Sequence, residues 1–168
     1  MSAQSQDMSQ ASSDEKLRPA AVRKKAAARL AALQYSYSRE FDDSSQLLAV
    51  SAFLESYLPD ILPQLQVNKM DDDHFNQLIA GVHEGREELD SQISSHLRDD
   101  WQLDRLPRHE LCLLRQGCFE LKQMPHVPAR AVLSEYSAMA DEFQADVGFV
   151  LGVLNALAAT YRKVEMGQ

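Results

Sequence analysis

The sequence predicts an all-α protein of six or seven helices, and three observations carry that expectation. Ala and Leu are plentiful while β-branched runs are scarce, which favours helix over sheet. Gly and Pro number six each among 168 residues, so local breakers are few. Apolar residues recur at three- and four-residue spacings in one segment after another, the period of a helix with one buried face. With 45% apolar and 25% charged residues, the chain has the balance of a globular domain large enough to bury a continuous core.

Residues 1–17 are rich in Ser, Gln and Asp and have almost nothing to bury, so they read as a disordered polar tail. Pro19 precedes a first helix from about Val22 to Arg39, with Ala26, Leu30, Leu33 and Tyr37 as its apolar stripe. A second helix is expected from Ser44 or Ser45 through Leu47, Leu48, Ala52 and Phe53 to about Leu58, where Pro59 and Pro63 break it. Asp71, Asp72 and Asp73 mark a helix start, with Asp73 as N-cap; capping outweighs metal binding because no further oxygen ligands follow at calcium-loop spacing. The third helix is expected over His74–Leu97, with Gly81 and Gly85 one turn apart allowing close approach of a neighbour. Trp101, Leu103 and Leu106 form a buried connector. Pro107 opens a fourth helix carrying Leu111, Leu114, Cys118 and Leu121. After a loop at Met124–Val127, Pro128 opens a fifth through Val132, Met139 and Phe143. A sixth spans Val147–Arg162, with Phe149, Val153, Leu154 and Leu157 inward. The folded domain is then 18–163, followed by a short tail over 164–168.

The net charge of −8 argues against a generic nucleic-acid coat, yet its distribution is uneven. Between Lys16 and Arg29 stand six basic residues (Lys16, Arg18, Arg23, Lys24, Lys25, Arg29) and no acid; setting those six charges aside leaves −14 for the rest. Cations in the first turns of a helix oppose its dipole, a stability cost that points to an anionic contact, although a solvated helix face is the commoner meaning of such runs.

Catalytic and metal chemistry find little support. Cys112 and Cys118 lie about 9 Å apart along one helix, too far for a disulfide, and read as reduced core thiols. His83-Glu84 begins like a zinc-protease motif, but Glu87 stands where its second histidine belongs. His74, His96, His109 and His126 share no ligand spacing, and there is no phosphate-binding glycine loop or serine elbow. No cofactor, metal or enzymatic activity is expected. The opening residues lack the apolar core of a signal peptide, and the longest apolar stretch, Phe149–Ala159, is about half a membrane span. A cytoplasmic protein without a membrane contact is expected.

From Arg23 to about Ala159 the sequence resembles the NusB family. Ala28-Arg29-Leu30-Ala31-Ala32-Leu33-Gln34 followed by Tyr37 is similar to that family's arginine-rich opening and its A-x-Q-A-L-Y segment. Phe75, Leu78, Gly81-Val82, Leu89-Asp90 and Ile93 match F-x-x-L-x-x-G-V and L-D-x-x-I. Arg105-Leu106, Glu110, Leu113-Leu114-Arg115 and Phe119-Glu120-Leu121 follow, then Val127-Pro128, Glu135, Phe149-Val150 and Gly152-Val153-Leu154. Their order and separations together are more specific than any one piece.

The resemblance implies two small helical bundles packed together. It implies a transcription antitermination factor that binds boxA-type single-stranded RNA with the small ribosomal protein that doubles as NusE. That pair joins the RNA polymerase antitermination complex in ribosomal RNA operons and supports ribosome biogenesis. The implied RNA contacts are Arg23, Lys24, Lys25 and Arg29, with Gln34 further along the helix and Phe149 as a base-stacking surface; Tyr37 and Glu110 would meet the protein partner. Residue chemistry also allows plainer roles: Phe149 and Tyr37 as core, and Glu110 with Arg115 as a surface ion pair. The chain departs from the family in its thin basic run, with Ala26, Ala27 and Ala28 among the cations, and in Ser134, Leu151 and Asn155 where Asn, Asn and Asp are usual. These departures motivate an alternative, a NusB-like protein-interaction adaptor without sequence-specific RNA binding. NusB-like domains also precede RNA methyltransferases, but no methyl-donor site is expected in a chain ending at Gln168. Monomer and homodimer both remain open at this stage.

Overall fold

The computed structural model describes residues 18–41 and 46–167. The expected tail 1–17 and the expected second-helix start at Ser44 or Ser45 lie outside those residues. The described residues form seven α-helices: α1 (Ala20–Arg39), α2 (Gln46–Leu65), α3 (Asp72–Glu84), α4 (Arg86–Ser94), α5 (Arg108–Gln123), α6 (Ala129–Glu142) and α7 (Val147–Tyr161), with a 3₁₀ turn at Leu103–Arg105. No strand occurs among them. Helices α2 and α3 pack on α1; α4, α6 and α7 pack around α5, and α5 also meets α1 and α3. The all-α fold of two bundles is therefore built on one shared post.

The shape of the post follows from its sequence. Along α5, Leu111, Leu113, Leu114, Cys118 and Leu121 are buried, and Gly117 admits the Leu154 side chain of α7, which a Cβ there would meet at 2.8 Å. On the other side, a Cβ on Gly81 of α3 would fall 2.1 Å from the Phe119 ring of α5, so this glycine does set a close helix crossing. Helix α1 reaches the same core through Ala27, Ala28, Ala31 and Ala32, none of which is exposed. The alanines that thin its basic run are thus the residues that let three helices approach it.

Several sequence expectations are corrected. Helix α2 runs through Pro59 and Pro63 to Leu65. Each proline removes one i→i−4 hydrogen bond, freeing the carbonyls of Glu55 and Pro59. Glu55, Pro59 and Pro63 recur every four residues and all are exposed, so water can meet those carbonyls while Ile61 is buried opposite. The N-cap of α3 is Asp71, whose side chain accepts the His74 N–H at 3.0 Å; Asp73 lies inside the first turn. The expected third helix is divided at Gly85 into α3 and α4, with Gly85 near the bridge conformation at φ −95° and ψ 12°. The only neighbour tight against a Cβ at Gly85 would be its own helix's Gly81 carbonyl, so no second helix approaches there. Trp101 is not buried in the connector but 46% exposed, whereas Leu106 is buried.

The expected tail over 164–168 is also docked up to Met166. Arg162, at the end of α7, donates to the carbonyls of Leu121, Val127, Met124 and Glu120 and pairs with Glu165 at 2.7 Å. Glu165 in turn accepts the Ala129 N–H at the start of α6. One guanidinium thereby satisfies the open carbonyl end of α5, the role a C-cap residue ordinarily fills.

Candidate nucleic-acid interface

The α1 residues singled out by sequence fall into three places. Arg23, Lys24 and Lys25 stand at the start of α1, against the loop that leads into α3. Gln34 and Tyr37 lie nine or more residues further on, at least about 14 Å along the helix axis. Arg29, between these groups, faces the core.

Arg29 is 2% exposed, and its guanidinium forks onto both oxygens of Glu120 at 2.7 and 2.9 Å. Glu120 also accepts the Tyr136 hydroxyl at 3.0 Å, and the His74 ring nitrogen Nε2 lies 3.4 Å away. Burial disfavours the Glu120 carboxylate, but His74 and Arg29 outweigh it and hold its pKa down to about 2. Gln116 closes the network by donating to the Arg29 carbonyl at 3.0 Å. The assignment of Arg29 as an RNA contact is therefore corrected: its charge is used inside the protein, joining α1 to α5.

The exposed end of α1 is also partly committed. Arg23 donates to the carbonyls of Arg18, Leu65 and Gln66, closing the end of α2, where Gln66 adopts a left-handed φ of 56°. Arg18 pairs with Glu135. Lys25 stands 3.6 Å from Asp71. Burial works against the charge on Asp71, yet the His74 N–H and Lys25 keep its pKa below the usual carboxylate range. Lys24 has no partner for its ammonium among the described residues; with Lys69 and Asp71–Asp73 it lines an open depression of about 400 Å³. The three aspartates that start α3 therefore sit against the cations of α1.

A second locus forms where α1 passes the start of α5. Gln34 and Tyr37 line a cavity of about 220 Å³ with Leu33, His109, Leu113 and Phe143. Tyr37 is 37% exposed and meets the exposed Phe41 edge-on, with ring centroids 5.2 Å apart. Glu110, beside His109, is 7% exposed and accepts the Asp146 N–H at 2.9 Å. It does not pair with Arg115, which forks onto Asp90 at 2.7 and 3.0 Å and reaches Glu40 at 2.9 Å. Glu110 thus fixes the loop before α7 and has little surface for a partner. Asp146 caps α7 by accepting the Phe149 N–H. Phe149 is half-buried, and its ring lies nearly parallel to Trp101 at 5.1 Å.

Neither cysteine is placed to act as an activated nucleophile. Burial raises the Cys112 pKa to about 12 and that of Cys118 to about 11, and both are free thiols. No group of three or more His, Cys, Asp or Glu side chains is placed to hold a metal among the described residues. No helix among them is long and apolar enough to cross a membrane.

Comparison with known proteins decides the family. Residues 26–159 match the NusB family. The chain belongs to the NusB family. Among its relatives, a protein of Sphingopyxis alaskensis described as "Transcription antitermination protein NusB" is 31% identical, covering 83% of this chain and 95% of its own. Proteins with the same description from Novosphingobium aromaticivorans and Sinorhizobium fredii are 33% and 35% identical, over 82% and 83% of this chain and 95% and 86% of their own. A solved structure of T. maritima NusB superposes with a TM-score of 0.66 at 21% identity, covering 86% of this chain and 97% of that one, which supports the NusB fold.

Within that fold, sequence reasoning missed Trp101 as an exposed aromatic and Arg23 as a cap of α2. Trp101 follows Asp99 and Asp100 and precedes Gln102, a polar context that signals an exposed position. Arg23 carried no local signal of that role, because the carbonyls it meets at the end of α2 lie more than forty residues away.

Proposed function

We propose that this NusB-family protein is a transcription antitermination factor of the cytoplasm. It binds boxA-type single-stranded RNA together with the small ribosomal protein that acts as NusE, joins the RNA polymerase antitermination complex and supports ribosomal RNA synthesis. The observation that carries this reading is the family match across residues 26–159, with relatives described as transcription antitermination proteins. The site supports it in reduced form: Lys24, with Arg23 and Lys25 beside it, supplies phosphate attraction, and Gln34 and Phe149, at two separate places, are suited to base contacts. Tyr37 and Phe41 offer the protein partner an aromatic edge.

The test is an RNA titration with and without the NusE protein at two salt concentrations. Preference for boxA-type RNA over a scrambled strand, strengthened by the partner, is the expected result; equal affinity for both strands defeats the reading.

A second reading, a protein-interaction adaptor, is favoured by one specific observation: Arg18, Lys25 and Arg29 face Glu135, Asp71 and Glu120 of the protein itself. Reversing charge at Lys24 and Lys25 separates the two. An RNA-binding factor loses RNA affinity and keeps its partner, whereas an adaptor shows no change in either.

A further inference from the structure

Beyond the α1 cations, one surface combines exposed aromatic area with open space. Trp101, the only tryptophan of the chain, lies against Phe149 with an interplanar angle of 20°. Next to this pair opens a cavity of about 440 Å³, walled by His96, Arg98, Gly148 and Gly152 as well as the two rings. That volume is within the range of small-molecule sites. Its floor is kept clear by glycine: a Cβ at Gly152 would meet nothing within 4 Å, and one at Gly148 only the Asp146 carboxylate at 3.6 Å. The Arg98 guanidinium has no partner among the described residues and can lie over a planar ligand. Asp146, the acid on the wall, is already engaged as the cap of α7. Asp99 and Asp100, exposed beside Arg98, repel phosphate. What the site presents is ring faces, not a net positive charge.

We propose that Trp101, packed on Phe149 as the outer ring, supplies a further stacking face for one unpaired nucleobase of single-stranded RNA, beyond the Phe149 contact that the family resemblance implies. This rests on the RNA-binding reading above and adds a residue and a division of labour to it: phosphate attraction comes from the start of α1, base contact from this cleft. Because stacking releases no counterions, its contribution does not vary with salt.

The full chain is titrated with boxA-type single-stranded RNA, alone and with the NusE protein, following labelled-RNA anisotropy and, for the chain alone, Trp101 fluorescence. Quenching of Trp101 that saturates with the anisotropy is the expected result. W101A weakens RNA binding about fivefold or more without changing the salt slope, and W101F retains most of the affinity. RNA binding with unmoved Trp101 fluorescence overturns the stacking site while leaving the RNA-binding reading intact, and needs no variant. Loss of NusE affinity in W101A with RNA affinity preserved assigns the cleft to protein and also overturns it. An absence of RNA binding in every titration removes both the site and the reading on which it rests.

Discussion

Arg29 and Lys24 stand five residues apart on α1 and serve opposite ends. Arg29 forks onto both oxygens of the buried Glu120, so Arg29→Ala removes the guanidinium that compensates this carboxylate in the core. A loss of about 3–5 kcal/mol in denaturant unfolding is expected. Lys24→Ala, by contrast, leaves unfolding unchanged and weakens RNA binding, a pair of outcomes that one preparation of each variant can check. The same carboxylate sets an acid limit. Its folded pKa of about 2 lies below the ordinary value of 4.5, so its stabilisation is complete above that value and disappears as pH falls from 4.5 through about 2. Unfolding midpoints measured across that window are expected to decline less steeply in Glu120→Gln than in the parent.

At the scale of elements, the helical period was legible throughout because each helix buries one face, and cross-chain partners were not. Nothing local to Arg29 announces Glu120, ninety-one residues away, so a buried cation looked like the rest of its run. The prolines of α2 misled for a related reason: their cost depends on which face they occupy, and tertiary packing decides that. Pro59→Ala is therefore expected to raise stability by about 1–2 kcal/mol, the helix penalty of proline less what its rigidity saves in the unfolded chain. Two glycines should respond in opposite directions. Gly81→Ala drives a methyl group into Phe119 and should cost about 1–3 kcal/mol, whereas Gly152→Ala, in open space on α7, should gain about 0.5–1 kcal/mol. Thermal unfolding of the three variants checks all of these.

For the whole molecule, the basic run promised more than the fold leaves available. Its six cations would give a salt slope of about −4 on a single strand, but Arg18 and Arg29 pair with Glu135 and Glu120 of the protein itself, which reduces it to about −3. A log–log plot of RNA affinity against salt for the isolated protein should show the shallower slope. The family fold was readable from the order and spacing of its apolar segments, since these define which helices share a core. The candidate interface was readable only in part, because exposure depends on which charges find partners across the chain.

The Arg162 guanidinium gives the fold a built-in test of completeness. During synthesis, α5 is made forty residues before the group that closes its carbonyl end. The central post therefore keeps unpaired backbone oxygens until α7 has emerged and turned back on it. A chain interrupted between residues 154 and 161 carries the whole of α1 and the residues of both candidate RNA surfaces, yet lacks the clasp on α5. Such a fragment is expected to be cut faster than the full chain in limited proteolysis, because carbonyls that Arg162 holds at the end of α5 are left without that partner.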